Sequence, residues 1–298
     1  MPIGKADGLL ARFDSSRLQN GAWVWFPTTD VPFSLNLNRR ADRTVKTSLL
    51  ATAVLAASVS LTSLCHATDF QVTTRVFDGN NPNPAMTLET VFHGDKVYDV
   101  VTTAPRQVTV IDFESGLVTL LDPQRQVKVT LQTQVILQHA TYFKTQGNFP
   151  DDPVWNFLRD PKFTTQYDSE MKVLTMAGGP ITYKAELDEI GEQTLADDYA
   201  RFCDWSALLN FVTGIGGLPQ ARIDLNNQMK SKGAVPREIR KTVRNANPAK
   251  SVSARTTHDF QWQPNPKASQ LIESIETDLK KSKAVSFEEF VKPMFAQK

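Results

Sequence analysis

The chain predicts an α+β fold: a large curved antiparallel sheet, a half-barrel, with helices over one face. Residues 70–131 break into six short segments of alternating residues separated by tight turn signals, which leaves no room for parallel crossovers. A second strand cluster at 162–187 and a hairpin at 236–262 follow. Between and after them, apolar residues return every three or four positions, the helical period.

The first strand, 70–77, sets Val72, Thr74 and Val76 on one face and Thr73, Arg75 and Phe77 on the other. Asp78 to Pro84 is dense in Gly, Asn and Pro, the chemistry of a turn. Strands 86–93 and 96–102 meet at Gly94-Asp95, and 107–113 and 117–121 meet at Glu114-Ser115-Gly116. Asp122-Pro123-Gln124-Arg125 turns into 126–131. A helix at 132–146 carries Val135, Ile136, His139, Tyr142 and Phe143 on one side, and Gly147 stops it. Asp152-Pro153 reads as a cap followed by proline at the first helical position, opening a short helix at 154–159.

Strands at 162–167, 171–177 and 180–187 come next. The longest helix spans 194–212, with Thr194 and Asp197 at capping-box spacing and Leu195, Tyr199, Phe202, Trp205, Leu208, Leu209 and Val212 as its apolar positions. Gly214 ends it, and a second helix spans 220–231. The hairpin 236–244 and 253–262 and closing helices at 267–282 and 286–296 complete the chain.

Ahead of this domain lies an export signal. Arg39, Arg40, Arg43 and Lys46 flank an uncharged run from Ser48 to Leu64, and Cys65-His66-Ala67 places small residues before a cut at Thr68. The run is short and rich in Ser, Thr and Ala for a membrane span. Leu64 before Cys65 argues against a lipidated cysteine. The expected organisation is a non-native or disordered leader at 1–44, a signal peptide at 45–67 and one α+β domain at 68–298, exported to the periplasm or cell envelope.

Residues 68–298 hold 26 basic and 28 acidic residues, a balance unlike that of a nucleic-acid binder. Cys203 alone survives processing, so no internal disulfide forms and stability rests on an ordinary core. It falls in an apolar helical pattern, the setting of a packing cysteine. A monomer is expected.

Catalytic signatures are missing. His93, His139 and His258 lie far apart in different elements, without the local pairing of a zinc site. No G-x-S-x-G occurs, and Gly214-Ile215-Gly216-Gly217 lacks a phosphate-loop lysine and follows a helix. Asp197 and Asp204 share a helix face, but nothing pairs them across a cleft as glycoside hydrolysis requires. No catalytic residue, cofactor or metal is therefore expected. The one functional-looking charge feature is basic: Lys230, Lys232, Arg237, Arg240, Lys241, Arg244, Lys250 and Arg255 stand against Glu238 alone. Within it Arg237, Arg240, Lys241 and Arg244 are the candidate contacts to an anionic envelope partner.

Three stretches carry a resemblance: Val91-Phe92-His93-Gly94-Asp95-Lys96-Val97-Tyr98-Asp99, Val108-Thr109-Val110-Ile111-Asp112-Phe113, and Leu121-Asp122-Pro123. With Tyr199 to Asn210, Leu218-Pro219 and Leu225-Asn226, they resemble a group of uncharacterised exported bacterial proteins. That group is similar to the lipoprotein-localisation (LolA/LolB-like) superfamily. The resemblance implies an open half-barrel whose helices lid a cavity for a lipid or a lipoprotein acyl chain, with no catalytic residue to transfer. Amino-terminal sequencing of the exported chain is expected to begin at Thr68; a native product that retains residues before 45 would overturn this organisation.

Overall fold

The computed structural model describes residues 69–296, apart from 104, 148, 150, 246–250 and 264. The leader and signal peptide lie outside the described residues. The first six strands form a meander: β1 (Phe70–Asp78), β2 (Met86–His93), β3 (Lys96–Val101), β4 (Gln107–Asp112), β5 (Leu117–Asp122) and β6 (Val127–Gln132). Helices α1 (Thr133–Gln146) and α2 (Pro153–Arg159) follow, then β7 (Thr164–Asp168), β8 (Val173–Gly178) and β9 (Ile181–Glu189). Next come α3 (Gln193–Val212) and α4 (Gln220–Lys230), and the hairpin of β10 (Ala234–Val243) and β11 (Val252–Gln261). The chain closes with α5 (Pro266–Lys281), β12 (Lys283–Ala284) and α6 (Phe287–Ala296).

All twelve strands join one open, curved sheet in the order β12-β6-β5-β4-β3-β2-β1-β11-β10-β9-β8-β7. Every pairing is antiparallel except β12 on β6. The β10–β11 hairpin inserts between β1 and β9 and so welds the two meanders into a single surface. Local chemistry supports the predicted boundaries. Asp152 caps α2 by accepting from the Val154 and Trp155 amides at 2.8 and 3.3 Å. Gly214, at φ +74°, ends α3 in a conformation that a Cβ would disfavour. The expected capping box does not form, because α3 begins one residue before Thr194 and Asp197 accepts from the Gln193 side chain at 2.8 Å.

Register assigns each strand residue to a face. Phe70, Phe92, Val97, Ile111 and Val118 lie in a cross-strand row and pack beneath α1 and α3. A second core joins α2 and α4 to β8, β9 and β10 through Trp155, Leu174, Ile181, Leu187 and Leu225. The expectation of helices over one face holds for these elements but not for α5. Ala268 and Ile275 of α5 pack on Val91, Tyr98, Val100, Val108, Val110 and Leu121, which point the other way. The reason lies in the strands: β2 to β5 bury adjacent residues such as Val91-Phe92, Val97-Tyr98, Val110-Ile111 and Leu120-Leu121, so both faces need cover. Tyr98 donates to Glu276 at 2.9 Å and ties the helix to the sheet.

Ile275 is fully buried in this third cluster. Ile275→Ala is expected to cost about 2–4 kcal/mol in urea denaturation, through lost transfer energy and a cavity. A cost near zero would mean that α5 does not seal that face.

Candidate functional site

Pro236 sits inside β10, where it has no N–H to contribute to a ladder. The strand bulges between Pro236 and Glu238, and its pairing with β11 begins only at Glu238 opposite Thr257. Beyond that point β11 continues through Phe260 with β1 as its sole partner. The gap opens a cleft of about 750 Å³ beside the start of α3. Ile190, Leu195, Val235, Phe260 and Trp262 give it an apolar wall. Phe260 and Trp262 stack at 5.0 Å with an interplanar angle of 16°, and Trp262 remains 38% exposed.

The rim is charged. Lys172 pairs with Glu189 at 3.5 Å, and Arg237 reaches Glu186 and Asp188, each at 3.1 Å. Glu192 and Asp259 also line the cleft and have no ion-pair partner among the described residues. The mouth is thus net acidic, with four carboxylates against two cations.

His258 lines the inner end of the cleft and belongs to a polar cluster beneath α3. Its Nδ1 lies 3.0 Å from the Tyr199 hydroxyl and 3.2 Å from Thr74 Oγ1, and its Nε2 lies 3.0 Å from Thr256 Oγ1. Burial, then the charge of Arg222, pushes the imidazole down to about 3, so it stays neutral near pH 7. Asp99 stands on the same face of the sheet, in step with Val97, and accepts from Thr90 at 2.7 Å. Burial raises its carboxyl to about 6, and the Thr90 hydrogen bond only partly opposes this. Arg222 of α4 lies against the Cys203 thiol of α3. Asp99, His258 and Arg222 are enclosed by protein yet keep some solvent contact, as groups lining an internal space do.

The structure does not gather the four predicted basic contacts into one patch. Arg237 is engaged at the bulge, while Arg240 shares Glu238 with Arg255 at 3.0 and 3.3 Å. Lys241 is on the opposite face of β10, over the Tyr183 ring, and Arg244 donates to the Gly179 carbonyl at 2.9 Å. Strand alternation separates neighbours that look contiguous in sequence. Lys250 lies outside the described residues.

Asp197 and Asp204 both turn towards α4, one to Lys230 at 3.7 Å and the other to Asn226 at 2.7 Å. Cys203 is buried, and burial raises its thiol. His93 is at the surface with Asp69, 2.8 Å away, and His139 stacks beside Phe143 on α1. Among the described residues no group of three or more potential ligands could hold a metal, and no helix is long and apolar enough to cross a membrane.

Sequence reasoning did not single out Asp99 or Arg222 as site residues. The available signal was a charge on an otherwise apolar stripe: Asp99 between Val97 and Val101, and Arg222 beside Ala221, Leu225 and Met229. No protein-family model matches the chain, and a comparison with curated proteins finds no similar sequence.

Asp99 and His258 make opposite contributions to stability. The raised Asp99 contribution is fully present below its ordinary value and lost as pH rises through about 6. The depressed His258 contribution is present above its ordinary value and lost as pH falls towards about 3. Between roughly pH 4 and 6 the two slopes offset one another. Asp99→Asn is expected to add up to about 3 kcal/mol at neutral pH and to make stability fall on acidification. His258→Gln should show the reverse slope. Urea denaturation at stepped pH reads both, and unchanged slopes in both variants would contradict the assignment.

Proposed function

We propose that this chain is an exported cell-envelope binding protein that holds a hydrophobic ligand or acyl chain in its half-barrel. The reading follows the pattern of the lipoprotein-localisation superfamily that the chain resembles. The observation that carries it is the cleft. Its volume of about 750 Å³ falls within the range of small-ligand sites, and its wall combines aliphatic and aromatic side chains.

An acyl chain entering there covers Trp262, the exposed aromatic at the cleft, and removes apolar wall from water at roughly 25 cal/mol per Å². The charged rim keeps the empty mouth solvated. Below it the stacked Phe260–Trp262 pair is a rigid surface for the ligand, since Phe260 is itself braced edge-on by Tyr199 at 5.0 Å. Binding rather than turnover suits the interior: its imidazole is held neutral by three hydroxyl neighbours.

The chain expressed in full and purified gently from the envelope is expected to carry a lipid or acyl chain in native mass spectrometry, released by denaturing extraction. Trp262→Ser should weaken rebinding by about tenfold, the equivalent of about 1.4 kcal/mol. A clean unliganded mass, together with no response of tryptophan fluorescence to acyl chains of graded length, would overturn the proposal.

A further inference from the structure

Arg222 is the interior group whose chemistry the fold leaves incomplete. It lies one helical turn before Asn226, on the side of α4 that faces α3. Its guanidinium lies against the Cys203 thiol, within the electrostatic reach of Tyr199, Tyr183 and His258. Among the described residues it makes no ion pair and no hydrogen bond to a carboxylate or a backbone carbonyl. Asp204 feels its charge but lies beyond ion-pair distance and already accepts from Asn226. Asp99, the other enclosed charge, is shifted by burial and by Thr90 alone, so it does not pair with Arg222. A guanidinium has five donors in a rigid fork that matches a carboxylate, and an enclosed cation without such a partner is costly.

Resting on the reading of the cleft as a hydrophobic-ligand site, we propose that the ligand is an acyl chain with a free carboxylate, bound head-first, with Arg222 receiving the head. Two features set the orientation. The net acidic rim repels an anionic head group left at the mouth. Inside, His258 joins the cleft to the cluster that holds Tyr199 and Arg222, and Lys241 adds a second cation on the same face of the sheet. The Tyr199 and Thr74 hydroxyls, now turned to the imidazole, are further donors beside the head group. The chain then extends outward along Phe260 and Trp262.

The test compares oleate with oleyl alcohol, which has the same chain and no charge, by calorimetry and tryptophan fluorescence on the full chain. Oleate is expected to bind at least tenfold more tightly. In Arg222→Met that preference should vanish while the alcohol still binds, and the unliganded variant should melt at a higher temperature, because an unpaired enclosed charge has been removed. Arg222→Lys should keep part of the preference and guards against a folding failure of the methionine variant. Equal binding of the two ligands by the unaltered protein would overturn the head-group assignment and leave the hydrophobic cleft standing. A preference that survives in Arg222→Met, or a lower melting temperature of that variant, would likewise overturn it. Binding of neither ligand would sink both readings.

Discussion

Burial of strands β2 to β5 on both faces is the constraint on which the rest of the molecule depends. A sheet with one apolar face needs one layer of helices, but these strands present adjacent apolar residues to both sides. One side is filled by α1 and α3, whose Ile136, Leu195, Phe202 and Leu209 meet the Phe70–Phe92 stack. The other needs α5, a helix distant in sequence, with Ile275 at its centre and Tyr98 bonded to Glu276. The short β12 then follows, pairing in parallel with β6 at the edge of the sheet.

Away from these strands the demand relaxes, and the candidate site occupies that region. The face under α3 and α4 is apolar near Phe70 and Phe92 but turns polar at Thr74, Asp99, Thr256 and His258. Polar groups there bond one another, and charged groups either shift their ionisation, as Asp99 does, or wait for a partner, as Arg222 does. Pro236 supplies the entrance by ending the β10–β11 ladder early. Packing, polarity and access are therefore set by different residues on neighbouring elements.

The legible part of the fold was its local part. Strand and helix boundaries followed from turn residues and periodicity, as at Gly94, Gly116, Asp152 and Gly214, because each of those residues acts within a few positions of itself. Cys203 was legible as buried for the same reason, lying on the apolar stripe of its helix. The basic segment misled because nearness in sequence is not nearness in space. Its acidic partners, Glu186, Asp188 and Asp197, come from elements that precede it by tens of residues. Asp99 and Arg222 looked like single polar interruptions, and nothing local distinguishes an interruption that faces solvent from one that faces an interior space.

The sequence by itself determined the elements, their order, the antiparallel character of the meander and the predicted export signal, since hydrophobic period, turn chemistry and capping act over short distances. Tertiary structure alone decided that the β10–β11 hairpin inserts between β1 and β9, and that α5 crosses to the far face. It also decided that His258, Tyr199 and Arg222 meet beneath one helix pair. Those outcomes depend on which distant surfaces bury one another, and that pairing of surfaces is settled only when the whole sheet is assembled.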